Sequence, residues 1–143
     1  MNVSPDEKVT RFIFSRGDFS TQNGTVKFKA FMPPRNREIR TLYSSDLSVY
    51  RISALSDGKK LSEDQVWKIG REYVQTAGRI LKARADLSVD DVYQNTLKVV
   101  PAPSPHKRHA NITPFPANRT ACQRIATKLA LASELVIIPP EET

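Results

Sequence analysis

The sequence predicts an α+β fold, with one mainly antiparallel sheet and two main helices packed on one face of it. Strand-like and helix-like segments come in mixed order, no internal repeat recurs, and the regular strand-helix alternation of a doubly wound sheet is absent. Each of the two clearest helical segments carries a single apolar stripe, which suits a helix lying on a sheet. The chain has 143 residues, 39% of them hydrophobic. A chain of that length buries about two-thirds of its unfolded surface in one core. Residues 1–8, polar and containing Pro5, read as a flexible tail, and 9–140 as a single α+β domain.

Taken in order, Phe12-Ile13-Phe14 opens the fold as a short strand. From Thr25 to Met32, Val26, Phe28, Ala30 and Met32 alternate with Thr25, Lys27, Lys29 and Phe31, the period of a half-buried strand. Asn23-Gly24 supplies the turn before it and Pro33-Pro34 ends it. Leu47–Ile52 is a further strand, expected to form a hairpin with the 25–32 strand through a long loop. Ser62-Glu63-Asp64-Gln65 fits a capping box, with Leu61 and Val66 at the staple positions. Val66, Ile69, Tyr73 and Ala77 then mark one face of a helix over 62–77, with Gly78 as its C-terminal stop.

Ser88-Val89-Asp90-Asp91 starts a helix of one or two turns before a strand at Leu97–Val100, while Ile80–Leu87 fits either state. Five of the ten prolines fall between Pro101 and Pro116, so 101–117 reads as a stiff, extended loop. Asn118 caps a last helix from Arg119 to about Ala132, with Cys122, Ile125, Ala126 and Leu129 facing the core. Leu135–Ile138 reads as a closing buried strand that Pro139-Pro140 terminates.

Several function classes fall away on composition. No apolar run approaches the roughly 20 residues that cross a bilayer, and the N-terminus lacks the layout of a secretory signal. These point to a cytoplasmic protein with no membrane partner. The single cysteine, Cys122, supplies neither a disulfide nor a multi-cysteine zinc cluster. None of the five glycines begins a phosphate-binding loop or dinucleotide fingerprint, and no nucleophile elbow or H-E-x-x-H helix is present. No motif calls for a cofactor.

The net charge of +7 is unevenly placed, because residues 92–133 contain six basic side chains and no acidic one. Arg124 and Lys128, four apart on the last helix, share a face. With Lys107, Arg108 and Arg119 they make an electropositive pole suited to an anionic partner, whether nucleic acid or an acidic protein surface. A charge of this size also serves as ordinary solubilising surface. Both histidines lie in His106-Lys107-Arg108-His109, beside that pole. An imidazole moves protons near neutral pH, and neighbouring cations stabilise phosphate charge, so His106 and His109 are the candidate catalytic residues. As zinc ligands they would need Cys122, Asp86, Asp90 or Asp91 as a third, and the expectation is no metal. Arg51 resembles the strand arginine of ADP-ribosyltransferases, but no E-x-E glutamate follows it.

Ala30-Phe31-Met32-Pro33-Pro34, Leu47–Arg51 and Pro105-His106-Lys107-Arg108-His109-Ala110-Asn111-Ile112 together resemble a group of small uncharacterised bacterial proteins with an A-F-x-P-P segment and a P-H-x-x-H-A-x-I loop. The resemblance spans most of residues 25–130. It implies a site at the histidine loop and no particular reaction. The expected function is a small basic binding or accessory module that engages an anionic partner within a larger assembly. The alternative is a small enzyme acting on a nucleotide or phosphorylated substrate through His106 and His109.

Overall fold

The structure, a computed structural model, describes residues 2–53 and 60–140. Among them run β1 (Lys8–Ile13), β2 (Phe19–Ser20), β3 (Thr25–Val26), β4 (Leu47–Arg51), α1 (Glu63–Ile69), β5 (Ala83–Ser88), α2 (Val89–Gln94), β6 (Lys98–Pro101), β7 (His109–Thr113), α3 (Arg119–Ala132) and β8 (Glu134–Ile137). Six strands form one sheet in the order β6-β7-β4-β1-β5-β8, every neighbouring pair antiparallel, and β2-β3 is a separate hairpin. The class is α+β.

Side chains alternate across a strand, and here the alternation separates two unlike faces. Val9, Ile13, Leu47, Val49, Ala85 and Ile112 point to one face, where Cys122, Ala126 and Leu129 of α3 bury them. Phe12, Tyr50 and Ile52 point to the other, where Val66, Trp67 and Ile69 of α1 meet them. The two main helices therefore lie on opposite faces of the sheet, not on one. An apolar stripe shows that a helix needs a sheet face, and it carries no information about which one.

α1 begins at the predicted capping box: Ser62 Oγ accepts from the Gln65 amide at 3.2 Å and Gln65 Oε1 from the Ser62 amide at 2.9 Å. Arg84 of β5 anchors it from below. The Arg84 guanidinium, buried, lies 4.7 Å from the Trp67 ring centre and is paired with Glu63 at 2.8 Å and Asp86 at 3.0 Å. After Ile69 the chain widens into a π-helical turn, Gly70–Val74, which the Gln75 amide closes onto the Gly70 carbonyl at 2.8 Å. The helical run thus ends at Val74 and not at Ala77. Gly78 sits in the following tight turn, where Thr76 and Arg79 exchange backbone bonds.

Other expectations are corrected. Residues 2–8 are no loose tail: Val3 is buried, its amide donates to the Val99 carbonyl at 2.9 Å, and Tyr93 Oη donates to its carbonyl. The strand expected over 25–32 stops at Val26 and turns into a 3-10 helix, Phe28–Phe31. A 3-10 turn stacks i and i+3, so Phe28 and Phe31 both reach the core under α3. β4 consequently pairs with β1 and β7 instead of with that segment. The proline-rich stretch contains β7, and β8 is a half-exposed edge strand.

Gly70 is held by close approach, since a Cβ there would stand 2.7 Å from Leu81 Cδ2 and 2.8 Å from Phe12 Cε1. Gly70→Ala is expected to lower the urea midpoint by the equivalent of about 1–3 kcal/mol, the usual range for overpacking. Gly78→Ala meets nothing within 4 Å and should leave the midpoint nearly unchanged.

Candidate functional site: a basic basin on the half-covered face

α1 and its π turn are short, and among the described residues they cover the part of their face over β1, β5 and β8 and the Tyr50 end of β4. Over the rest of β4 and over β7 that face carries polar side chains. Leu47-Ser48-Val49-Tyr50 and His109-Ala110-Asn111-Ile112 alternate so that Leu47, Val49, Ala110 and Ile112 are buried under α3. Ser48, Tyr50, His109 and Asn111 are left to the other side. The register pairs Ser48 with Asn111 and Tyr50 with His109 across the ladder. These four side chains, with Thr10, Arg11, Asp46, Val74 and Arg79, line a cavity of about 580 Å³.

His109 is held at both ring nitrogens. Nδ1 lies 2.8 Å from the Ala102 carbonyl oxygen, an acceptor only, so Nδ1 carries the proton and donates. In the neutral ring Nε2 is then an acceptor, and the Ser48 hydroxyl donates to it at 2.5 Å. The ring also rests edge-on against Tyr50 at 5.3 Å between centres. Burial holds the Tyr50 phenol above its usual pKa, with Arg11 pulling the other way.

Arg11 lies where β1 and β4 separate. Its Nε donates to the Ala30 carbonyl at 3.1 Å and its Nη1 to the Ser48 carbonyl at 2.9 Å. A guanidinium is thus anchored to the backbone of the residue that carries the hydroxyl. Burial, and then the positive charge of Arg79, lower the pKa of Arg11 to about 10, with Asp18 and Tyr50 opposing. It is still a full cation at neutral pH. Arg79 is exposed and stacks over the Phe14 ring at 4.5 Å. Neither arginine forms an ion pair among the described residues. The two cations make the basin electropositive, with Asp18 acting on Arg11 from outside the wall and Asp46 the one acidic side chain among the described residues that line it.

The two histidines are not one site. His106 sits in the turn before β7, its Nδ1 accepting the Arg108 amide at 3.0 Å and its ring edge-on to Tyr73 at 4.7 Å. It lines a second cavity with Lys60, Lys68 and Lys107, and Tyr50 stands between it and His109. Arg108 is buried, donating to the carbonyls of Arg51 at 3.1 Å and Ser53 at 2.8 Å. It ties the turn to β4 and presents no surface charge. Arg119, Arg124 and Lys128 are exposed on α3, beyond the opposite face of the sheet from His109. Arg51 is engaged by Glu7 through two bonds, of 3.0 and 2.7 Å. Cys122 lies in the core under α3, and burial pushes its thiol up to about 11. Among the described residues no three His, Cys, Asp or Glu side chains come together as metal ligands.

The sequence reading missed Ser48, Asn111, Arg11 and Arg79. For the first two a signal exists: 109–113 alternates polar and apolar as a half-solvated strand does, but the flanking prolines mask it. For the arginines there is none, because their convergence depends on the sheet order.

These features define an antiparallel α+β protein with a basic basin bearing a serine and a histidine on the half-covered face of its sheet. Comparison with protein-family models, with curated proteins and with solved structures returns no match. No helix among the described residues is long and apolar enough to cross a membrane.

Burial, Arg108 and Lys107 together lower the pKa of His106 below its ordinary 6.5. Folding therefore favours the neutral ring that accepts the Arg108 amide. The stability this contributes is full above the unfolded value and is lost as pH falls through the lowered folded value. Between about pH 7 and about pH 5, His106→Gln should flatten the acid-side loss of stability seen in urea titrations. An unchanged slope would remove His106 from the acid response.

Proposed function

We propose that the protein is a small enzyme acting on a phosphorylated substrate, a nucleotide or another phosphate ester, bound in the basin. His109 transfers the proton, and Arg11 and Arg79 hold the phosphate. The observation that carries this reading is the oriented imidazole, with Nδ1 locked on the Ala102 carbonyl and Nε2 in a cavity also lined by two guanidinia that form no ion pair among the described residues. Orientation by a fixed acceptor keeps the basic nitrogen on the substrate side. Guanidinium groups offer forked donors that match phosphate oxygens.

The test is release of phosphate or alcohol from 4-nitrophenyl phosphate, bis(4-nitrophenyl) phosphate and ATP by the purified chain. His109→Ala should lower kcat by about 10²–10⁴-fold, the usual contribution of a positioned acid or base. Arg79→Ala should act mainly on KM, by about tenfold or more, for the loss of a charged hydrogen bond of roughly 1.5–3 kcal/mol. His106→Ala, outside the basin, should retain turnover. If no phosphate ester is turned over, the reading fails.

A second reading, a binding module for nucleic acid or an acidic protein surface, is favoured by α3. Arg119, Arg124 and Lys128 are exposed there, and the helix has no carboxylate of its own. In that case single-stranded RNA binds with an affinity that falls with salt by about 0.7 log units per log unit for each phosphate neutralised. Arg124→Glu combined with Lys128→Glu should abolish the binding while leaving the basin chemistry intact.

A further inference from the structure

We infer that Ser48 is the nucleophile of the basin and passes through a covalent phosphoserine. This rests on the phosphate-ester reading above and names a catalytic residue within it. Four observations converge on the hydroxyl. Its proton already lies on a hydrogen bond of 2.5 Å to His109 Nε2. Nδ1 is committed to Ala102, so Nε2 is the only ring atom able to take a proton, and Ser48 occupies it. A water cannot reach that atom without displacing the serine. The side chain is exposed to the basin and stands on a paired strand, where its position is set by the ladder. Finally, Arg11 is bonded to the backbone carbonyl of Ser48 itself, which fixes a guanidinium to the residue whose oxygen attacks. A hydroxyl bonded to a base that a third group orients is the arrangement of an activated nucleophile.

Other parts of the molecule lead less far. The cavity at His106 has cations but no comparable oriented pair. The open edge of β8 shows nothing that would cover it.

In the first half-reaction the Ser48 oxygen attacks phosphorus and its proton moves to Nε2 of His109. The bond from phosphorus to the ester oxygen breaks, and the imidazolium returns the proton to that oxygen as the alcohol leaves. The esterified Oγ has no proton left to donate to Nε2, so a water takes its place there, attacks phosphorus and gives its proton to Nε2. The bond between Ser48 Oγ and phosphorus breaks, Oγ regains the proton, and phosphate departs. Ester and water become alcohol and phosphate, with nothing oxidised or reduced. The guanidinia match a transition state whose charge is spread over the phosphoryl oxygens, which is why phosphoryl rather than acyl transfer is assigned.

The experiment is acid quench of the full chain turning over 4-nitrophenyl phosphate, since phosphoserine survives acid, followed by intact mass and peptide mapping. A burst of nitrophenol and one added phosphoryl group on the peptide containing Ser48 are expected. Ser48→Ala should lower turnover at least a hundredfold with unchanged circular dichroism. His109→Ala, given the activated ester, should slow both the burst and the release of phosphate. Turnover by wild type with no adduct, and Ser48→Ala retaining it, would overturn the serine nucleophile and leave His109 acting directly on water. Absence of turnover in wild type on all three phosphate esters overturns the phosphate-ester reading, and the nucleophile with it.

Discussion

Leu47, Val49, Ala110 and Ile112 are buried together beneath α3, and because successive side chains on a strand point to opposite faces, burying them turns Ser48, Tyr50, His109 and Asn111 the other way. The register of β4 against β7 then sets Ser48 beside Asn111 and Tyr50 beside His109. A slip of one residue would exchange the two sets, placing four apolar side chains in water and a serine, a histidine and an asparagine in the core. Hydrophobic burial on one face thus holds the polar geometry on the other. The Ser48 to His109 bond follows from how the far side of the sheet is packed.

The openness of the basin has its own cause. One face of the sheet is closed by α3, α2, the 3-10 turn and the small hairpin, whereas on the other, among the described residues, α1 and the π turn supply the cover. That cover is anchored over β5 by Arg84 under Trp67 and pressed onto Phe12 and Leu81 at Gly70. It ends there, because the chain after Val74 enters a tight turn and then returns to the sheet as β5. The turn leaves Arg79 at the rim, while Val74 forms part of the basin wall. Arg11 reaches the same place from below, where β1 and β4 separate. Basic residues elsewhere have quite different work: Arg51, Arg84 and Arg108 are tied into carboxylates or carbonyls within the fold. A uniform positive surface is therefore a poor description of this chain. Among the described residues, exposed basic side chains lie on α3, on the opposite side, and at the basin rim, as well as at Lys60, Lys68 and Lys107 around the His106 cavity.

Elements whose signals are local were readable in advance. The capping box at Ser62, the Asn118 cap, the short α2 and the strands near 47–52 and 97–100 all rest on neighbours within a few residues. Where local signals conflict, tertiary packing decides. Phe31 already broke the alternation of 25–32, and the core takes both Phe28 and Phe31 through a 3-10 turn. The prolines of 101–116 suggested loop, yet Pro101 ends β6 and Pro114 follows β7, so they bracket strands that the alternation of 109–113 fills. His106 and His109, neighbours in sequence, are drawn to two cavities by the turn between them.

Composition and short-range pattern thus decided the α+β class, the caps, the larger helices and the histidine segment as a place of chemical interest, because each depends on spacing within a turn or two of chain. Strand order, the face each helix covers and the partners of His109 were decided by the packed sheet alone. Ser48 is 61 residues from His109, and Arg11 lies further still along the chain. No pattern of neighbours encodes such distances. Ser48 and His109 meet because burying one side of β4 and β7 leaves their other side in common, while Arg11, in register with Ala85 on the buried side, reaches them through the gap where β1 and β4 separate.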